Sequence, residues 1–88
     1  MKVQNITSNN GNKIANQFIV NDDNGNTYFQ SYNSMIVKLN GDRVELDQKY
    51  WNYSNTTGKY RNIFLNETIK DTKKKIKSGE YILTDLNK

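Results

Sequence analysis

The hydrophobic period of this chain changes after Asp47-Gln48-Lys49, and that change restricts the fold more than any other feature. Before it, apolar residues come in short runs of strand character separated by turn residues. Phe18-Ile19-Val20 closes a run from Ala15, Thr27 to Tyr32 follows, Met35-Ile36-Val37-Lys38-Leu39 is a third, and Arg43-Val44-Glu45-Leu46 alternates strictly. Between the first two lies Asn21-Asp22-Asp23-Asn24-Gly25-Asn26, and between the last two Asn40-Gly41-Asp42. Asn-Gly steps reach positive φ at little cost, and Asp and Asn side chains bond back to the backbone. The first two runs are therefore expected to pair as a hairpin, with Tyr28, Gln30 and Tyr32 on one face. Lys38, Arg43 and Glu45 are expected to blunt strand edges.

After the change the spacing is helical. Lys59 to Lys77 reads as helix, with Leu65, Ile69, Thr72 and Ile76 in one stripe and Tyr60 and Phe64 beside it. Ser54, Thr56 or Thr57 can cap its start. Asn66-Glu67-Thr68 can divide it, with Asn66 or Thr68 opening a second helix. Ser78-Gly79 stops it, Gly79 being suited to a left-handed cap. Tyr81-Ile82-Leu83 is a final short strand. The fold class expected is α+β, an antiparallel sheet of four to five strands with one long or broken C-terminal helix packed on it. Eighty-eight residues make one domain, 1–88, with residues 1–12 loosely ordered and Thr7-Ser8-Asn9-Asn10-Gly11-Asn12 a polar turn.

Composition limits the chemistry. The chain has no Cys and no His, which removes disulfides, thiolate nucleophiles, Cys zinc sites and the usual neutral-pH base. Ser54, Thr56 and Thr57 offer hydroxyls, and Lys59 and Tyr60 stand nearby, but no base accompanies them. The expectation is a protein that is not an enzyme and takes no cofactor or metal. Asn21 to Asn26 superficially resembles a calcium loop, but position 31, where a bidentate Glu belongs, is Ser. No apolar run has the length of a membrane span and the N-terminus lacks a signal-peptide core, so a cytoplasmic setting is expected.

Binding remains. Residues 1–50 carry five basic and five acidic side chains; residues 51–88 carry eight and four, so the whole net charge of +4 lies in the second part. Lys70, Lys73, Lys74, Lys75 and Lys77 form either a solvated helix face or a phosphate-binding one, and Lys59 and Arg61 extend them toward the aromatics. Trp51, Tyr53, Tyr60 and Phe64 are expected to close the core, with an exposed stacking patch as the alternative. The residues expected at a partner-binding surface are Lys59, Arg61, Lys70, Lys73, Lys74, Lys75, Tyr28 and Tyr32.

Phe29-Gln30-Ser31-Tyr32-Asn33-Ser34, Val44-Glu45-Leu46-Asp47 and the stretch from Trp51-Asn52-Tyr53-Ser54-Asn55-Thr56-Thr57-Gly58-Lys59-Tyr60-Arg61 to Leu65 carry a resemblance. It continues through Asn66-Glu67-Thr68, Lys75 to Tyr81 and Leu83 to Asn87. Over residues 29–87 the chain resembles a family of small uncharacterised proteins of bacteriophages and mobile elements from low-GC Gram-positive bacteria. The resemblance brings no catalytic residue. It implies a phage protein in the host cytoplasm that binds a host protein or ribonucleoprotein, such as a nucleic-acid-guided defence complex, and inhibits it in the manner of an anti-CRISPR. The alternatives are a direct DNA- or RNA-binding accessory protein and a virion structural or assembly protein.

Overall fold

A computed structural model describes residues 1–87 of the chain. Six strands lie side by side in chain order: β1 (Lys2–Thr7), β2 (Lys13–Asn21), β3 (Thr27–Ser31), β4 (Ser34–Asn40), β5 (Arg43–Asp47) and β6 (Tyr81–Thr84). The first five form an antiparallel meander. β6 runs parallel to β5. A parallel neighbour cannot be reached by a tight turn, so the chain must cross over. It does so through α1 (Asn55–Leu65) and α2 (Ile69–Ser78). The class is α+β, as expected, with six strands rather than four or five, and the long or broken helix of the expectation is two helices divided at Asn66–Thr68.

Both helices cover the same face. Phe64 of α1 stacks on Phe29 of β3, with ring centroids 5.7 Å apart, and Thr57 of α1 bonds Ser31. Tyr81, which touches α2 residues, lies in register with Val44, Leu39 and Thr27 across β5, β4 and β3. Thr27, Phe29 and Ser31 share one side of their strand. The core on that side contains Ile6, Phe29, Ile36, Val37, Leu46 and Tyr81, with Trp51, Tyr60, Phe64, Leu65 and Ile76 packed against it. A bulge in β4 enlarges it: Phe29 pairs with Val37, but Gln30 pairs with Met35. Ile36 is the extra residue, so two side chains oppose one, and Ile36 and Val37 are both fully buried. That is how an apolar run without alternation serves a one-sided core.

The sixth strand is β1, in the segment expected to be loose. Its sequence hides it, because Ile6 alone reaches the core. The strand is held instead by its ladder to β2, from Lys2↔Asn21 to Thr7↔Lys13. The edges of the sheet are thus β1 and β6. Lys38, Arg43 and Glu45 lie on interior strands and do not protect an edge: Lys38 and Arg43 flank the Glu45 carboxylate at 3.9 and 3.7 Å.

The turn at Asn21–Asn26 closes on Asp22, whose carboxylate accepts from the backbone of Asn24 and Asn26 and from the Asn26 side chain. The Asn26 side-chain bond leads the interactions that hold the Asp22 pKa down at about 2. α1 starts at Asn55, four residues earlier than expected. Ser54 is its N-cap, accepting from Thr57 N–H at 3.1 Å, and Thr56 and Thr57 fall inside the helix. Asn66, left-handed at φ 56°, ends α1; Thr68 opens α2 in a capping box with Asp71. Gly79, at φ 85°, closes α2. The stripe is less apolar in fact than in prospect. Thr72 is its fully buried member, Leu65 and Ile76 are half-buried against the core, and Ile69 is half-buried outside the core cluster.

Candidate functional site

α2 sorts its lysines. Ile69, Thr72 and Ile76 face inward at helical spacing, and Lys75 turns partly in with them. Lys70, Lys73, Lys74 and Lys77 are all exposed. Their spacing of three, one and three puts them on one face, over about 10 Å of helix axis. α2 sets one acid against them, Asp71, which is hydrogen-bonded in the Thr68 capping box, so the four lysines keep a net positive charge. The expected partner-binding residues Lys70, Lys73 and Lys74 are therefore brought together, and Lys77 joins them.

Lys75 is drawn elsewhere. Its Nζ donates to Glu67 Oε1 at 2.8 Å, and the Tyr81 hydroxyl donates to the same oxygen at 2.7 Å. Thr72 donates to the other oxygen, Oε2. The Glu67 side chain is only 6% exposed. Burial pushes its pKa up, but the hydrogen bonds from Lys75, Thr72 and Tyr81 prevail and hold it below the ordinary carboxylate value. The Glu67 bond also raises the Lys75 pKa. Lys75 thus joins α2 to β6 and the helix junction, which removes it from the candidate surface.

Arg61 is the larger correction. It was expected at the surface and is 1% exposed. α1 turns it under Trp51, whose ring lies 5.3 Å from the guanidinium carbon. Nη1 donates to the Trp51 carbonyl at 2.7 Å and to Asn52 Oδ1 at 3.1 Å; Nη2 donates to Asn62 Oδ1 at 2.9 Å. All three acceptors are neutral. Nε has no acceptor, and no carboxylate lies within ion-pair distance among the described residues. Burial lowers the Arg61 pKa, opposed by the field of Glu67.

Above the guanidinium runs a cleft of about 470 Å³, lined by Asn52, Ser54, Asn55, Gly58, Lys59, Arg61, Asn62 and Ile69. Gly58 is buried within α1, and a Cβ placed there would stand 3.6 Å from Asn52 Oδ1 and 3.7 and 3.8 Å from the two Nη atoms. Lys59 is exposed beside it. Gly58, Asn52 and Asn62 were not singled out from the sequence. The available signal was Gly58 itself, because a glycine inside a helix costs about 1 kcal/mol relative to Ala and needs a reason.

The aromatic residues divide. Trp51, Tyr60 and Phe64 pack on the core as expected. Tyr53 does not; it is exposed and meets Tyr50 edge-on. Tyr28 lies on the sheet face away from the helices, since its neighbour Phe29 points to the core, and its hydroxyl donates to Asp22. Tyr32 is at the β3–β4 turn, left-handed at φ 57° and exposed. Tyr28 is therefore on the opposite side of the sheet from the helices that carry the lysines.

An α+β protein with a six-stranded sheet, two crossover helices and an arginine-floored cleft defines the class. The chain belongs to a family of unknown function (DUF8033), matched over residues 1–82. The match takes in β1 and β2, beyond the residues that carry the resemblance described above. Comparison with the curated proteins and with the solved structures gives no match. No helix among the described residues is long and apolar enough to cross a membrane.

Proposed function

We propose that the protein is a small phage-encoded binding protein, without enzymatic activity, that inhibits a host machine such as a nucleic-acid-guided defence complex in the host cytoplasm. The contact in this reading is the exposed face of α2. One observation carries it: Lys70, Lys73, Lys74 and Lys77 stand on a single helix face while Glu67 and Asp71 are hydrogen-bonded within the fold. A one-signed patch steers an acidic partner and raises its association rate. The phage setting rests on the resemblance of residues 29–87 and on nothing else.

The test is affinity capture from host lysate, with and without nuclease, using the natural chain and the variant Lys70→Gln/Lys73→Gln/Lys74→Gln/Lys77→Gln. Capture of a protein or ribonucleoprotein that survives nuclease and is lost with the variant supports the reading. Equal capture by the variant removes α2 as the contact. Binding to random DNA or RNA with a steep salt dependence, and no captured protein, replaces inhibition with direct nucleic-acid binding.

A further inference from the structure

We propose that the cleft flanked by Asn52, Gly58, Lys59, Arg61 and Asn62 binds a phosphate group, either the free ion or a phosphomonoester. The inference goes beyond the α2 face and does not rest on it. Its basis is the unbalanced charge of Arg61. A guanidinium offers five N–H donors. Three are taken by the Trp51 carbonyl, Asn52 and Asn62; Nε is without a partner, and one N–H of Nη2 is left over. Burying a cation is costly, and a buried cation normally has an anion beside it. Here every hydrogen-bond acceptor is neutral, and Glu67, the acid whose field reaches Arg61, is itself bonded to Lys75, Thr72 and Tyr81.

The rest of the cleft has the complementary character. Its lining includes two cations, Arg61 and Lys59, three asparagine side chains, Asn52, Asn55 and Asn62, and no acid. Two positive charges match a phosphate dianion better than a single carboxylate. Arginine suits planar, multidentate recognition of phosphate, and lysine acts beside it as a mobile point charge. The first turn of α1 lines one end, where backbone N–H groups and the helix dipole also favour an anion. The floor of the cleft is open because residue 58 is glycine. With no Cβ there, the edge of the guanidinium that carries Nη1 and Nη2 has no methyl group set against it. An alanine would meet those atoms at ordinary contact distance, so it would fit the empty protein and occupy the approach.

That geometry supplies a test that avoids removing Arg61. The ¹⁵N-labelled chain is titrated with sodium phosphate, and separately with adenosine 5′-monophosphate, at constant ionic strength. Saturable shifts are expected at the Gly58 amide and at the Arg61 Nε–H. Gly58→Ala should melt no lower than the natural chain, yet lose about tenfold or more in affinity, the scale of one charge-assisted hydrogen bond. Lys59→Gln, at an exposed position, should weaken binding by a few-fold, roughly the scale of one partly screened charge. Tighter binding of the nucleotide points to an organic phosphate and equal binding to the free ion; either supports the site. Linear shifts that never saturate, shifts confined to the α2 lysines, or a Gly58→Ala affinity within about twofold of the natural chain would overturn the proposal. Each of those results leaves the α2 reading to be decided by lysate capture.

Discussion

Arg61 and Lys75 are both cations drawn in beside the core, and they are held in opposite ways. Lys75 keeps a third of its side chain in water and shares the Glu67 carboxylate with Tyr81. Its charge is balanced, and the network ties α2 to β6 and the junction between the helices. Arg61 is far more deeply buried and has no counter-ion among the described residues. Its donors fix the Trp51–Asn52 turn and Asn62 instead. The contrast separates two uses of a buried charge. A balanced one serves the fold and is finished. An unbalanced one organises the loop around it and still favours an anion.

The largest expected effect follows from the deeper residue. Arg61→Leu leaves the Trp51 carbonyl and two asparagine oxygens without their donor and removes the group under the Trp51 ring. The cost should be ~3 kcal/mol or more, from lost hydrogen bonds and imperfect filling of the space. A domain of this size has about 4–13 kcal/mol in total, so urea unfolding will show it plainly. A variant as stable as the natural chain would mean that Arg61 anchors nothing and is kept for binding alone.

Glu67→Gln should cost somewhat less, ~1–3 kcal/mol, because the amide oxygen can still accept from Thr72 or Tyr81 while Lys75 loses its nearer anion and keeps only Glu80, at 4.0 Å. Its pH dependence separates the two networks. The Glu67 pKa is held below its ordinary 4.5 in the folded chain. In the acid range the unfolded chain therefore binds more protons at this site, and stability rises with pH. The contribution is complete above the ordinary value and is lost as pH falls through the folded one. Arg61 stays charged throughout that range and adds no slope. Melting temperatures from pH 7 down to pH 3 should fall less steeply for Glu67→Gln than for the natural chain. Parallel curves would show that Glu67 is not the acid-sensitive member.

This contrast was not legible in the sequence, although much of its frame was. Asn21 to Asn26, Asn40-Gly41 and Ser78-Gly79 mark turns because their conformations depend on local chemistry. The Asn66–Thr68 break and the cores of β2 to β5 are readable for the same reason. Arg61 and Lys75 are different. Lys75 lies in the run Lys73-Lys74-Lys75 and Arg61 two residues after Lys59, and only the packing of α1 against the Trp51 turn, or of α2 beside β6, decides which member turns inward. β1 escaped because an edge strand held by backbone pairing needs only Ile6 to be apolar. Thr72, a polar residue in the stripe, became its best-buried position because Glu67 accepts its hydroxyl.

A smaller effect sits at the entry to α1, the helix that holds Arg61. Ser54→Ala removes the acceptor for Thr57 N–H and should cost ~0.5–2 kcal/mol. Thr56→Ala, at an exposed position inside the helix, should change little. Thr57→Ala removes a different contact, the buried Ser31–Thr57 bond of 2.9 Å. If Thr56→Ala proved the most damaging of the three by urea unfolding, the helix would begin later than Asn55 and Arg61 would not be placed by this cap.

The smallest effect on stability is expected from the largest change in charge. Replacing Lys70, Lys73, Lys74 and Lys77 together with Gln removes four positive charges from α2. Gln is as compatible with a helix as Lys, and exposed charges contribute little to folding because water and salt screen them. The melting temperature should therefore barely move. Lys75→Gln removes one charge from the same helix but breaks the bond to Glu67, so that single change should lower the melting temperature more than the other four combined. Added salt sharpens the distinction, since it screens the exposed face but only weakly affects a contact made with a buried carboxylate. In about 0.5 M sodium chloride, where the screening length is only a few ångströms, any shift seen in the fourfold variant should vanish and the Lys75→Gln shift should persist. If the fourfold variant were the less stable one at both salt concentrations, the four lysines would belong to the fold rather than to a free surface, and the division of α2 into a structural cation and a binding face would fail.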